Sequence, residues 1–459
     1  MIDLVRPERF QLIVMVLLWP GLLLALAAFT ARQGRGSMTG GLSLLFVITL
    51  FMNHWPGGAV LLQEWYEYYP TPLTWAGFKV TTYGLLAFIL GVILVLVFKG
   101  ISNKSVLENE APKATANLIR FSFMMLGVGV AVNFFIWPFV GNIPTISSIM
   151  QALSNLMVIG VCLLLIGYAK PTQRLIILAS TMIFPLLTVL VNGFMGFGLV
   201  MLLTVFCFWL SLGRIRPIYF VIAPFALMLS AAVYVTYMTE RTVIRESVWG
   251  GAPIGERGEV LSGAATRFEW FDPNNPLHLR TVDIRLNQNF LVGATIEHMQ
   301  HGREPFANGE TLLAAVVAII PRAIWPDKPV VGGGGDVVAR YSGLDFARGT
   351  SVGVGNVLEL YINFGISGVM FGMLFLGLIV GELNSRVSVA LRTGRYDRAM
   401  IWMLSGTAFT NPLGSFAELS TSFFAALAGG TILLIGAERY FGAGMFQNVA
   451  QSDRSPAPA

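Results

Sequence analysis

Between residues 240 and 355 the chain carries ten arginines and a single lysine, Lys328. Arginine offers a planar fork that grips phosphate oxygens two at a time and stays charged. Arg241, Arg245, Arg280, Arg285, Arg322, Arg340 and Arg348 stand nearest to apolar segments. Arg322 is the sharpest case, because it ends the apolar run "TLLAAVVAIIP", where an unpaired charge is costly. The region also holds comparable acidic charge, so ordinary paired surface arginines remain the competing reading. Two carboxylates have the type and placing of a proton acceptor. Glu359 lies near the start of an apolar run, and Asp345, like Asp327 and Asp336, lies near the glycine tract Gly332–Gly335. Each can equally partner a local arginine. Trp325 suits an interfacial belt.

Metal chemistry has little support. His298 and His301 are three apart with no third ligand near them, and no Asp-x-Asp pair occurs in 240–355. Cys162 and Cys207 sit inside apolar segments and read as small core residues. His54 reads as a helix-end residue. The glycine tract lacks the Gly-Lys-Ser/Thr of a phosphate-binding loop and reads as a lid or a plain hinge. No cofactor is implied. No basic stripe with interleaved aromatics occurs, which argues against nucleic acid.

The elements that must position these residues are membrane helices. The 459 residues are 55% hydrophobic and 12% charged, about half the charge of a soluble domain. Mean hydropathy is +0.69. Apolar runs near 10–30, 41–61, 76–98, 118–140, 149–169, 175–192, 194–212 and 218–238 predict eight spans. Runs near 356–381, 399–413 and 421–438 bring the total to roughly eleven. The first is expected to be a retained helix, since it lacks a cleavage site after a short apolar core. Basic connections after the first, third, fifth and seventh runs place those loops in the cytoplasm and the N-terminus outside. The expected organisation is therefore a first membrane unit (1–238), an outer region (239–355), C-terminal spans (356–440) and a disordered cytoplasmic tail (441–459). Within the outer region, "FLVGATIEHM" and "TLLAAVVAII" are too short to cross and are expected as amphipathic or re-entrant helices on the bundle.

Three segments resemble a known family. "FANGETLLAAVVAIIPRAIWPDKP" (306–329) resembles the Pro-Arg, Trp-Pro, Lys-Pro segment of Wzy-type oligosaccharide repeat-unit polymerases. "GVGNVLELYINFGISGVMFGMLFLG" (353–377) is similar to that family's next helix, with its Asn-Phe-Gly break, and "DIRLNQNFLVGATIEHM" (283–299) to its arginine-led amphipathic helix. The resemblance covers about a hundred residues of the C-terminal half. It implies an all-α, GT-C-like membrane glycosyltransferase of the bacterial inner membrane, acting at the periplasmic face without metal. Its substrates would be glycan donor and acceptor carried on undecaprenyl diphosphate, with a chain-length regulator as a further partner. Arg285, Arg322 and Lys328 would hold the diphosphate, with Arg241, Arg245, Arg280, Arg340 and Arg348 in support, and Trp325 and Tyr341 would stack on sugar rings. Two other readings stay open: a ligase that moves finished polymer to another acceptor, and a non-enzymatic flippase of lipid-linked glycans.

Overall fold

A computed structural model describes residues 3–33, 39–102, 116–140, 143–168, 170–212, 218–321, 324–325, 327–328, 334–347 and 352–441. Among these residues the fold is entirely helical. The first membrane unit comprises α1 (Arg9–Gln33), α2 (Leu42–Val60), α3 (Thr71–Ser102), α4 (Ala116–Ala131), a π turn (Val132–Ile136) and α5 (Trp137–Val140). It continues through α6 (Pro144–Ser154), α7 (Leu156–Gly167), α8 (Pro171–Ser180), α9 (Ile183–Asn192) and α10 (Met195–Leu212). The long α11 (Ile218–Trp249) leads to α12 (Ile254–Thr266), α13 (Pro276–Leu286), α14 (Gln288–Gln300), α15 (Glu310–Ala318) and α16 (Gly334–Ser342). The chain closes with α17 (Asn356–Arg392), α18 (Tyr396–Ala408) and α19 (Phe416–Phe441).

Nine helical stretches among the described residues are long and apolar enough to cross a membrane. Most of the expected spans fall on them, some as broken pairs such as α6 with α7 and α8 with α9. The expected span 218–238 is the first part of α11, which runs on for three more turns to Trp249. The expected span 399–413 is different. Its helix, α18, has 13 residues, about 20 Å of rise, and falls short of a bilayer core. The chain leaves helix there inside the bundle, where Thr410 O accepts a hydrogen bond from Thr49 in the middle of α2.

Small residues let backbones approach, as is usual between membrane helices. Gly77 of α3 faces the backbone of Asn289, and Gly293 of α14 faces the backbone of Leu73, so α3 and α14 touch main chain to main chain. Gly91 and Gly377 do the same for α3 and α17. In consequence α14 is embedded in the bundle, where the sequence predicts a helix lying upon it. Asn289, Thr295 and Ile296 are fully buried. Asn289 is satisfied there by His54, which lies inside α2 and not at its end: Nδ1 is 2.8 Å from Asn289 Oδ1, and Asn289 Nδ2 donates to His54 O at 2.7 Å. The apolar 311–320 run forms the short α15, lodged against the start of α19 through Ser420 Oγ donating to Ala315 O.

α17 is two helices. Phe364 and Gly365 leave helical geometry, Gly365 with φ +63°, a backbone that favours glycine. The turn separates a short first arm (356–363) from the long arm that crosses. This break falls where the resemblance puts its Asn-Phe-Gly interruption.

Candidate functional site

The outer end of α11 and the C-terminus of α13 bring three guanidinium groups together. Arg241 and Arg245 are one turn apart on α11, and Arg285 closes α13. Arg241 is held below the usual arginine range, first by burial and then by the neighbouring charges of Arg285 and Arg245. Arg245 lies over the rings of Phe194 (4.2 Å) and Trp249 (5.2 Å), and its Nε donates to Gly193 O. Among the described residues no carboxylate pairs with any of the three. Four other arginines outside the spans are matched, Arg6 with Glu67, Arg9 with Glu64, Arg267 with Glu240 and Arg340 with Glu304, whereas Arg257, Arg280 and Arg303 form no ion pair among the described residues. Like charges gathered without counter-charge make an anion site, and aromatic walls strengthen it by lowering the local dielectric.

Local sequence dictates how Arg285 is presented. Pro276 opens α13 and Asn275 caps it, its side chain accepting from Leu277 N at 2.9 Å. At the other end Asn287 bends the chain into α14, and its Nδ2 donates to the Asp283 carboxylate at 2.6 Å. Asp283 is buried, and burial pushes its carboxyl up to about 6. Tyr69 stacks on Phe290 at 3.9 Å, pinning the loop before α3 onto the same bend. Arg280 lies over the Tyr68 ring at 5.0 Å on the flank of this group.

The remaining expected residues lie elsewhere. Arg340 and Tyr341 belong to α16, which packs at the other end of α14, about 20 Å away along 13 residues of helix. Glu304 engages Arg340 at 2.7 Å, and Tyr341 is buried, so its ring is not open to a sugar. Asp345 is exposed on the loop after α16. Lys328 Nζ donates to Ala318 O and Ile320 O, closing the C-terminus of α15, and Trp325 beside it is exposed. Arg322, Arg348 and Gly332–Gly333 lie outside the described residues. Glu359 is 2% exposed, and its Oε2 accepts from Phe416 N at 2.8 Å, at the first residue of α19. It does not join the arginine trio. The sequence reading missed Asp283, Asn287 and Asn289. The signal for Asp283 was an acid set between Arg280 and Arg285 in one short helix. Among the described residues no group of three or more His, Cys, Asp or Glu side chains could hold a metal.

These features define an all-helical, multi-pass membrane protein with three arginines gathered at the C-terminal end of a long helix. The chain belongs to the family described as Domain of unknown function (DUF8712), whose model matches residues 76–406. The match runs from α3 into α18 and so contains the arginine trio and both arms of α17. No curated protein and no solved structure matches it.

Proposed function

We propose that this protein is a metal-independent membrane glycosyltransferase of the bacterial inner membrane. It polymerises oligosaccharide repeat units carried on undecaprenyl diphosphate at the periplasmic face. The observation that carries this reading is the convergence of Arg241, Arg245 and Arg285 without a carboxylate partner among the described residues. As the glycosidic bond to the donor breaks, negative charge gathers on the diphosphate. Fixed guanidinium groups at the edge of the lipid stabilise that charge more than they stabilise the ground state, and such preorganised charge is often the largest catalytic contribution. Three arginines on two helices also orient the leaving group for in-line attack by the acceptor hydroxyl. Asp283 and Asn287 act as positioning residues that fix the bend presenting Arg285. Arg322 retains the diphosphate-binding role that the resemblance implies, and Lys328 supports the helix before it.

The test is charge reversal at the trio. In cells, Arg241→Glu or Arg285→Glu should abolish polymer while the protein still inserts at wild-type level. Polymer of normal length from both variants would remove the trio from the site.

A further inference from the structure

The first arm of α17 begins in the interior of the bundle. Val357 packs beside Gly84, where an added Cβ would meet Val357 Cγ2 at 3.7 Å and Val369 Cγ1 at 3.1 Å. Gly84 stands midway along the membrane span Thr71–Lys99. At that depth two non-helical segments meet. Gly355 N donates to Leu413 O at 3.0 Å, Asn356 N to Pro412 O at 2.9 Å, and Asn356 Nδ2 to Gly414 O at 2.9 Å. Two helices start from this junction, the first arm of α17 at Asn356 and α19 at Phe416. Irregular backbone at membrane depth persists only where protein or an aqueous cavity satisfies it. Helices broken there are where ions and polar ligands are held.

The side chains of this junction are oxygen-rich and lack a cation. Glu359 is buried with one carboxylate oxygen on the Phe416 amide. Among the described residues no Lys, Arg or His forms an ion pair with it. The start of α19 supplies only about half a positive charge. Asn356 is fully buried, and its Oδ1 has no hydrogen-bond partner among the described residues. α15 contributes the Thr311 hydroxyl, which bonds to Glu359 and accepts from Asn363 Nδ2 at 2.7 Å. Of the titratable groups on α15 and α19, Glu418 repels the Glu359 charge and Glu310 lies at the exposed start of α15. Neither neutralises it.

We propose that the junction binds a small monovalent cation, H+ or Na+, on Glu359, with Asn356 Oδ1 and the Thr311 hydroxyl as further oxygen donors. Occupancy neutralises the buried carboxylate, gives the orphan amide oxygen a partner and ties α15, α17 and α19 together. This site is independent of the glycosyltransferase reading and stands or falls separately from it.

The experiment is thermal unfolding of the full chain in lipid nanodiscs, wild type against Glu359→Gln. Conditions are a pH series at constant ionic strength, in sodium chloride or in N-methylglucamine chloride. A ligand that binds only the folded state raises the melting temperature. A sodium site predicts a rise of about 2 °C or more with sodium in the wild type and none in the variant. A proton site predicts a wild-type curve that rises as pH falls relative to the variant, in both salts. Parallel wild-type and variant curves under all conditions overturn the proposal. Should the variant fail to insert, dicyclohexylcarbodiimide, which attacks protonated buried carboxyls, is applied to the wild type. Labelling of Glu359 that falls on raising pH supports proton binding, and protection by sodium at fixed pH supports sodium binding. Labelling of Glu359 that neither pH nor sodium changes, or no labelling, overturns the proposal.

Discussion

Gly293→Ala is the substitution most directly decided by the packing of α14. An added Cβ would meet Leu73 Cα at 2.9 Å and the Leu73 carbonyl closer still, both under the 3.0 Å that real Cβ contacts respect. The obstacle is backbone, which cannot rotate away, so α14 and α3 must part by roughly an ångström at this point. A gap of that size forfeits a quarter to a half of the dispersion energy across the face. The face is well packed, with Val292, Thr295 and Ile296 buried. Overpacking of this kind costs about 1–3 kcal/mol, and the paired hydrogen bonds between His54 and Asn289 stand to add about 1 kcal/mol each. The expected loss is therefore about 3–5 kcal/mol. Because α14 follows directly from the bend that carries Arg285, transfer activity should fall even in the folded fraction. The assay is thermal unfolding in nanodiscs against Gly258→Ala in α12, where an added Cβ meets nothing within 4 Å. That control should be neutral or gain up to about 1 kcal/mol from helix propensity. Equal stability of the two variants would refute the reasoning.

Three further outcomes are expected. Burial raises the Asp283 carboxyl from 3.8 to about 6, so the folded state holds this proton more tightly than the unfolded chain. The resulting stability is present below about pH 4 and is lost as pH rises through 6; the stability of wild type relative to Asp283→Asn, measured by urea unfolding, should fall over that range, and a difference flat from pH 4 to 7 contradicts it. Transfer activity should survive EDTA, and loss that magnesium restores would oppose a metal-free mechanism. Arg322→Glu should abolish polymer without loss of insertion, and normal polymer length would take Arg322 out of the site.

Hydropathy made the membrane helices legible, because spanning lipid demands long apolar runs with internally satisfied backbone. The π turn at 132–136 and the breaks within 144–192 were not legible, since apolar periodicity is blind to local hydrogen-bond slips. The burial of α14 was readable only in hindsight, in Gly77 of α3 and Gly293 of α14, each of which meets the backbone of the other helix. Arginine enrichment marked the region that holds Arg241, Arg245 and Arg285 but could not sort its members. Arg241 and Arg245 share a helix face by spacing, yet their meeting with Arg285 depends on how α11 outruns the bundle, which no local pattern states. Conversely, Arg340 sits as promisingly in sequence as Arg285 and is neutralised by Glu304, 36 residues away. Glu359 was singled out as an ionisable residue at membrane depth; that it caps α19 required the tertiary fold.

The central claim is tested most directly by mass spectrometry of lipid-linked glycans in cells lacking this protein, complemented by wild type or by Arg285→Glu. The account predicts single repeat units accumulating on undecaprenyl diphosphate at the outer face, cleared by the wild type and not by the variant. Long lipid-linked polymer accumulating in its place would make the protein a ligase, and repeat units trapped at the inner face would make it a flippase; either result contradicts the account.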